Sequence, residues 1–131
     1  MKTVAKIIVL AAASAALSGC ITMRPPPALG AGDWVLARWQ PDDPYFYPAI
    51  VTEPVGDQLS LQYDDGDAGA QAARNVRRFD WRAGTRLECR SADGAFQAAA
   101  ITELAPNRVD VQIRFNDGGT QATTTAACRD R

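Results

Sequence analysis

Three aromatic residues stand among aspartates in the first half of this 131-residue chain. Trp39 lies just ahead of Asp42 and Asp43, Tyr47 follows them, and Tyr63 runs directly into Asp64-Asp65-Gly66-Asp67. An aromatic face attracts a cation by about 0.5–2 kcal/mol per contact, and neighbouring carboxylates add to the attraction. The chemistry within reach of such a set is capture of a cationic group. Bond-breaking chemistry has little to work with. The chain contains no histidine, so the commonest general base and metal ligand is missing. Ser60 and Ser91 have no base to activate them, and no glycine-rich phosphate loop is present. No catalytic residue and no cofactor is therefore expected. Clustered carboxylates such as Asp64, Asp65 and Asp67 suit calcium, but this cluster is short and lacks the downstream glutamate of an EF-hand. Tight turns favour Asp and Gly in any case, so no metal is expected. With 14 basic residues against 15 acidic ones, the chain does not suit nucleic acid either.

These residues need elements to hold them, and the sequence supplies short strands, twice over. From Gly32 onward two segments echo one another with a period of about 50 residues. Gly32-Asp33-Trp34-Val35-Leu36-Ala37-Arg38-Trp39 and Gly84-Thr85-Arg86-Leu87-Glu88-Cys89-Arg90 read as first strands in the same polar and apolar phase. Tyr47 to Glu53 is matched by Gln97 to Glu103, with Val-Thr-Glu in one and Ile-Thr-Glu in the other. Third strands follow: Leu59, Leu61 and Tyr63 alternate with Ser60 and Gln62, and Val109, Val111, Ile113 and Phe115 alternate with Asp110, Gln112 and Arg114. Asp64-Asp65-Gly66-Asp67 and Asn116-Asp117-Gly118-Gly119 supply hairpin turns. A fourth strand and a closing segment, Asn75 to Arg78 and Ala126 to Arg129, complete each copy. Five short strands in about 50 residues are what a small SH3-like barrel needs to remove its open edges. The expected fold is all-β, with two tandem five-stranded barrels over residues 32–80 and 81–131. Phe79 and Trp81, in the connector, are expected to pack between them. Arg74, Arg77, Arg78 and Arg82 make a basic patch at the junction, which reads as a solvated face paired with acids or as a surface for head groups or a partner.

The first copy resembles the Tudor family. The resemblance rests on Arg38-Trp39-Gln40-Pro41-Asp42-Asp43, Phe46-Tyr47-Pro48-Ala49-Ile50-Val51 and Leu61-Gln62-Tyr63-Asp64-Asp65-Gly66-Asp67, and extends more weakly over Thr85 to Arg129. It implies an SH3-like barrel with an aromatic cage for a cationic group, in which Trp39, Tyr47 and Tyr63 are walls and Asp65 or Asp67 the polar partner. The sequence departs from the family at Asp65, where a fourth aromatic is expected. It departs again in copy two, where Ser91 and Gln97 stand for Trp39 and Tyr47. The resemblance thus places any cage in the first barrel alone. Phase offers a second reading of the same residues, since Tyr63 shares the phase of Leu59 and Leu61, and Trp39 that of Val35 and Ala37, as core residues would. Methylated lysine and arginine, the familiar Tudor ligands, belong to nuclear and cytosolic proteins and are not carried over.

The N-terminus argues for another compartment. Lys2 and Lys6 precede an apolar run, Ile7 to Leu17, that is too short to span a bilayer, and Leu17-Ser18-Gly19-Cys20 follows. This pattern resembles the lipobox of bacterial lipoproteins. It implies that residues 1–19 are a lipoprotein signal peptide and that Cys20 is lipidated, making the membrane a partner through the lipid anchor. Ile21, which is not Asp, implies sorting to the outer membrane, facing the periplasm, in a host that has one. Residues 20–31, with Pro25, Pro26 and Pro27, form a tether that reaches about 30 Å at roughly 3 Å per residue. Removing the signal leaves twelve arginines against fifteen acids. In an oxidising cell envelope the two remaining cysteines, Cys89 and Cys128, can close a disulfide; as first- and last-strand residues of one barrel they lie in suitable places. Two buried thiols are the alternative. The functional expectation is a membrane-anchored, non-catalytic binding or scaffolding lipoprotein that recognises a cationic group or protein partner through its first barrel. The alternative is a structural cell-envelope protein that associates with peptidoglycan or envelope proteins without a cage. Metabolic labelling with a palmitate analogue should modify the wild-type chain and fail for Cys20→Ser; persistent labelling of that variant would sink the lipoprotein expectation.

Overall fold

The computed structural model describes residues 28–131. The expected signal segment, Cys20 and the tether as far as residue 27 lie outside the described residues. What is described is all-β and consists of two five-stranded antiparallel sheets. The first holds β1 (Trp34–Arg38), β2 (Phe46–Val55), β3 (Gln58–Tyr63), β4 (Ala68–Ala72) and β5 (Val76–Arg78). The second holds β6 (Arg86–Arg90), β7 (Phe96–Leu104), β8 (Asp110–Phe115), β9 (Thr120–Thr124) and β10 (Cys128–Arg129). The spatial order is β4-β3-β2-β1-β5 in one and β9-β8-β7-β6-β10 in the other, the same order used twice. Single 3-10 turns, Ala73–Asn75 and Thr125–Ala127, lead into the closing strands.

The duplication extends to single hydrogen bonds. Gly32 N–H donates to the Val51 carbonyl at 2.7 Å, and Gly84 N–H to that of Ile101 at 2.7 Å. Each long second strand changes register once, between Val51 and Glu53 in β2 and between Ile101 and Glu103 in β7. Thr52 and Thr102 are therefore the extra residues of two equivalent β-bulges. A bulge bends its strand and sharpens the twist, which lets one strand serve both halves of a curled sheet. The turn between the second and third strands needs a left-handed residue: Gly56 supplies φ 63° in copy one, and Arg108 takes φ 58° in copy two.

Alternation decides which side chains go inside. In β3, Leu59, Leu61 and Tyr63 are buried while the residues between them are not; in β8 the same holds for Val111, Ile113 and Phe115. Burying a leucine or isoleucine contributes about 1.5–3 kcal/mol, so three such positions per strand set the register against a one-residue slip. Leu29, near the end of the expected tether, packs against the first core. The first strand departs from simple alternation. Val35, Leu36 and Ala37 are all fully buried, because Val35 and Ala37 face the first core whereas Leu36 joins the second, with Trp81, Leu87 and Cys89. Phe79 and Phe46 pack against that second cluster as well. The two barrels thus share the strand β1 as a wall.

Polar contacts fix the same junction. Asp130, just beyond β10, exchanges backbone hydrogen bonds with Phe46 of β2 at 2.6 and 3.1 Å. Arg77 Nη2 donates to both oxygens of its carboxylate, at 2.6 and 2.7 Å, and the Trp81 indole N–H donates to Oδ2 at 2.9 Å. Arg77 also pairs with Asp80, and Arg78 lies 3.9 Å from Asp33, so two of the four arginines at the junction have acidic partners.

Cys89 and Cys128 lie directly opposite one another on β6 and β10 and form a disulfide. The corresponding pair in the first sheet is Ala37 and Val76. Only the second barrel has a covalent seam. The bridge spans 39 positions, for which chain-entropy arguments give about 4 kcal/mol. Reduction, or the pair Cys89→Ser and Cys128→Ser, should lower the urea midpoint accordingly. Mass spectrometry of unreduced protein should find both cysteines linked; free thiols would refute the bridge.

Candidate functional site

The end of β1, the start of β2 and the β3–β4 hairpin converge at one end of the first barrel. Trp39 follows β1, and its backbone is held from below: Gln71 Nε2 donates to the Trp39 carbonyl at 2.9 Å, and Asn75 Nδ2 donates to Gln71 Oε1 at 3.3 Å. Gln71 and Asn75 are buried, so each gains the partner that a buried amide requires. Tyr63 closes β3 and is 3 % exposed. Its phenol donates to the Arg38 carbonyl, and its ring meets that of Trp39 edge-on, with centroids 5.1 Å apart and planes at 72°. Such an arrangement adds about 0.5–1.5 kcal/mol beyond area burial.

Gly69 of β4 makes this contact possible. A Cβ there would come within 3.1 Å of the Tyr63 ring and 3.9 Å of Trp39. A glycine inside a strand often marks close approach of a ring or a ligand, and that signal was available in the sequence. Gln71, a buried polar residue, gave no comparable sign.

Trp39, Tyr47, Tyr63, Asp65 and Asp67 line one open pocket of about 240 Å³. Trp39 is 40 % exposed, Tyr47 half-buried, and both aspartates exposed. The core reading therefore describes Tyr63 but not Trp39. The turn that carries the acids is ordered, with Asp65 Oδ1 accepting the Asp67 N–H at 3.0 Å and Gly66 at φ 97°. Burial, and then the negative charges of Asp65 and Asp43, push the Tyr63 phenol well above the usual tyrosine value. It stays a neutral donor at physiological pH. The electrostatics of the pocket mouth thus come from carboxylates, and its walls from rings.

The protein's own arginines show which rings are taken. Arg38 and Arg77 stack on Phe46 at 4.8 and 4.9 Å, and Arg90 and Arg129 stack on Phe96 at 4.4 and 3.8 Å, a pair of sandwiches repeated by the duplication. Arg129 and Arg131 also cover Tyr45. Sequence reasoning did not anticipate these contacts. Among the described residues no arginine stacks on Trp39, Tyr47 or Tyr63; Arg129 reaches only the Tyr47 hydroxyl, at 3.5 Å.

The equivalent place in copy two is filled by hydrogen bonds. Gln97 Nε2 donates to Ser91 Oγ at 3.2 Å, and Ser91 Oγ donates to Asp93. Gln121 occupies the register position of Gly69, opposite Ile113 as Gly69 is opposite Leu61, and bonds the Arg90 carbonyl at 3.3 Å. A larger hollow of about 490 Å³ lies on the outer side of this sheet, between Glu103, Asp110 and Ala122, and has no aromatic wall. Among the described residues no group of three or more His, Cys, Asp or Glu is placed to hold a metal ion.

Comparison with known proteins agrees on architecture. No protein-family model matches the chain, and no curated protein matches its sequence. Among solved structures, the tandem tudor domains of Crb2 match with a TM-score of 0.56 at 14 % identity, covering 80 % of this chain and 81 % of that one. The fold is that of two tandem Tudor-like barrels. Agenet domains 3 and 4 of ADCP1 match at 17 % identity over 79 % of this chain and 80 % of that one, TM-score 0.37. The AGD34 segment of Arabidopsis thaliana AGDP1 matches at 16 % identity over 79 % and 82 %, TM-score 0.41.

One acid of the turn points away from the pocket. Asp64 Oδ2 accepts a hydrogen bond from Thr125 of the second barrel at 2.6 Å. Burial raises its pKa, the Thr125 bond opposes the rise, and the charge of Asp65 adds to it. A raised carboxyl pKa means that the native state binds the proton more tightly than the unfolded chain does. Stability from this group is therefore highest in acid and falls as pH rises from the ordinary value of about 3.9 through the raised one. Asp64→Asn should remove that part of the slope, so that urea midpoints of wild type and variant diverge between acid and neutral pH. Parallel profiles would contradict the assignment.

Proposed function

We propose that this chain is a non-catalytic binding module, anchored at a cell-envelope membrane through a lipid on Cys20, whose first barrel takes a cationic group of a protein or peptide partner between Trp39, Tyr47 and Tyr63. One observation carries the reading. Arginines of the chain cover Phe46, Phe96 and Tyr45, while among the described residues no arginine stacks on the three rings that line the cavity edged by Asp65 and Asp67. The asymmetry of the copies supports it, because in the second barrel Ser91 and Gln97 replace two of the three rings and Gln121 fills the space over the position of Gly69. The envelope location, facing the periplasm from the outer membrane, rests on the lipobox pattern and on a disulfide that suits an oxidising compartment.

A structural role without ligand is the second reading. It is favoured by Tyr63 alone, which is buried and hydrogen-bonded as a core residue. Titration with n-butylguanidinium decides between them. Capture should quench tryptophan emission at millimolar ligand. Trp39→Ala should weaken binding about tenfold, as the loss of one strong cation–π wall predicts. Trp34 and Trp81 also emit, so the variant comparison assigns the signal. If no quenching occurs, or if Trp39→Ala unfolds the first barrel, the structural reading is the better one.

A further inference from the structure

We infer that the first barrel receives its ligand as an extended peptide strand added to the β4 edge, with one basic side chain passing over Gly69 into the pocket. The inference deepens the cation reading above and rests on it.

β4 pairs with β3 and lies at the end of its sheet. In an antiparallel ladder, residues alternate between those bonded to the partner strand and those whose N–H and C=O point outward. Tyr63 N–H bonds the Asp67 carbonyl at one end, and Ala73 N–H bonds that of Asp57 at the other. Gly69 and Gln71 share that phase and are turned toward β3. The backbone groups of Ala68, Ala70 and Ala72 therefore point off the edge. Edges are usually blunted by charge, proline or a bulge, because they are templates for another strand. Ala68-Gly69-Ala70-Gln71-Ala72 has none of these, and its outward residues Ala68 and Ala70 are exposed.

Side chains directly opposite one another on paired strands share a face. A peptide residue opposite Gly69 thus projects on the face where Trp39 and Tyr63 lie, and Gly69 has no side chain to block it. Charge is complementary, since Asp65 and Asp67, both exposed, sit at the start of β4. The β9 edge runs in the same way, but Gln121 stands where Gly69 would be. Strand addition combined with cation capture belongs to the first barrel only.

The test compares n-butylammonium with an eight-residue peptide of alternating threonine and valine carrying one central lysine, both titrated against the full chain. The peptide should bind at least tenfold more tightly than the amine. N-methylation of alternate residues in one phase should return its affinity to that of the amine, and in the other phase should leave it unchanged. If the amine binds and the peptide is no tighter, or if both N-methylated series bind alike, strand addition is wrong and the cation pocket stands. If neither ligand binds, the cation reading has failed and the inference falls with it. Concentration-dependent dimerisation abolished by Ala70→Pro would show instead that a second copy occupies the edge, and would overturn the proposal.

Discussion

Asp130 is the constraint on which the arrangement of the two barrels depends. Its backbone pairs with Phe46, both oxygens of its carboxylate accept from Arg77 Nη2, and the same carboxylate takes the Trp81 indole hydrogen. Those partners belong to β2, to β5 and to the connector, so one residue bonds both strands that flank β1, β2 through its backbone and β5 through its side chain. Charge-assisted hydrogen bonds of this kind contribute about 1.5–3 kcal/mol each, more than a neutral bond on the surface. They also have direction. Apolar packing of Leu36 and Trp81 in one cluster brings the barrels together without fixing their orientation, whereas the Arg77 Nη2 bonds and the indole bond, converging on one carboxylate, restrict it. Arg129, the residue before, is positioned by this anchoring to lie between Tyr45 and Phe96 and to reach the Tyr47 hydroxyl. One edge of the candidate pocket is in this way tied to the closing strand of the other barrel.

The duplicated barrels keep the same scaffold and divide the remaining tasks. Strand order, bulges and hydrogen-bonded turns are shared, because they are what a sheet of this size needs to curl on itself. Where function does not depend on them, closing positions are free to differ. Ala37 and Val76 in the first barrel correspond to Cys89 and Cys128 in the second, so one copy is sealed by packing and the other by a covalent bond. The first copy has a strand buried on both faces, since its neighbour covers Leu36, and this extra burial takes the place of a disulfide. The second copy, with Glu88 at the equivalent position, lies at the outside and has the bridge. Conversely, the polar residues that fill one end of the second barrel leave the first as the one with an open aromatic pocket.

Much of this was legible in the sequence. Period-two alternation, Asp-Gly turns and an internal echo are local patterns, and they fix strand existence, register and fold class because burial of alternate residues is what drives a strand into a sheet. The residues Trp39, Tyr47, Tyr63, Asp65 and Asp67 were also readable as a set, through their type and order. Their exposure was not. Phase alone assigns Trp39 and Tyr63 to the same side of the sheet, and only the hollow above Gly69, with Gln71 holding the Trp39 backbone, leaves one ring open while the other is buried. The burial of Leu36, the stacking of Arg129 and the bonds of Asp130 lay further out of reach. Alternation describes a strand's two faces but not what later covers the outer one, and contacts between residues separated by about 50 positions or more are set by how two finished barrels dock. Local sequence determined the barrels; docking decided which surfaces they leave free.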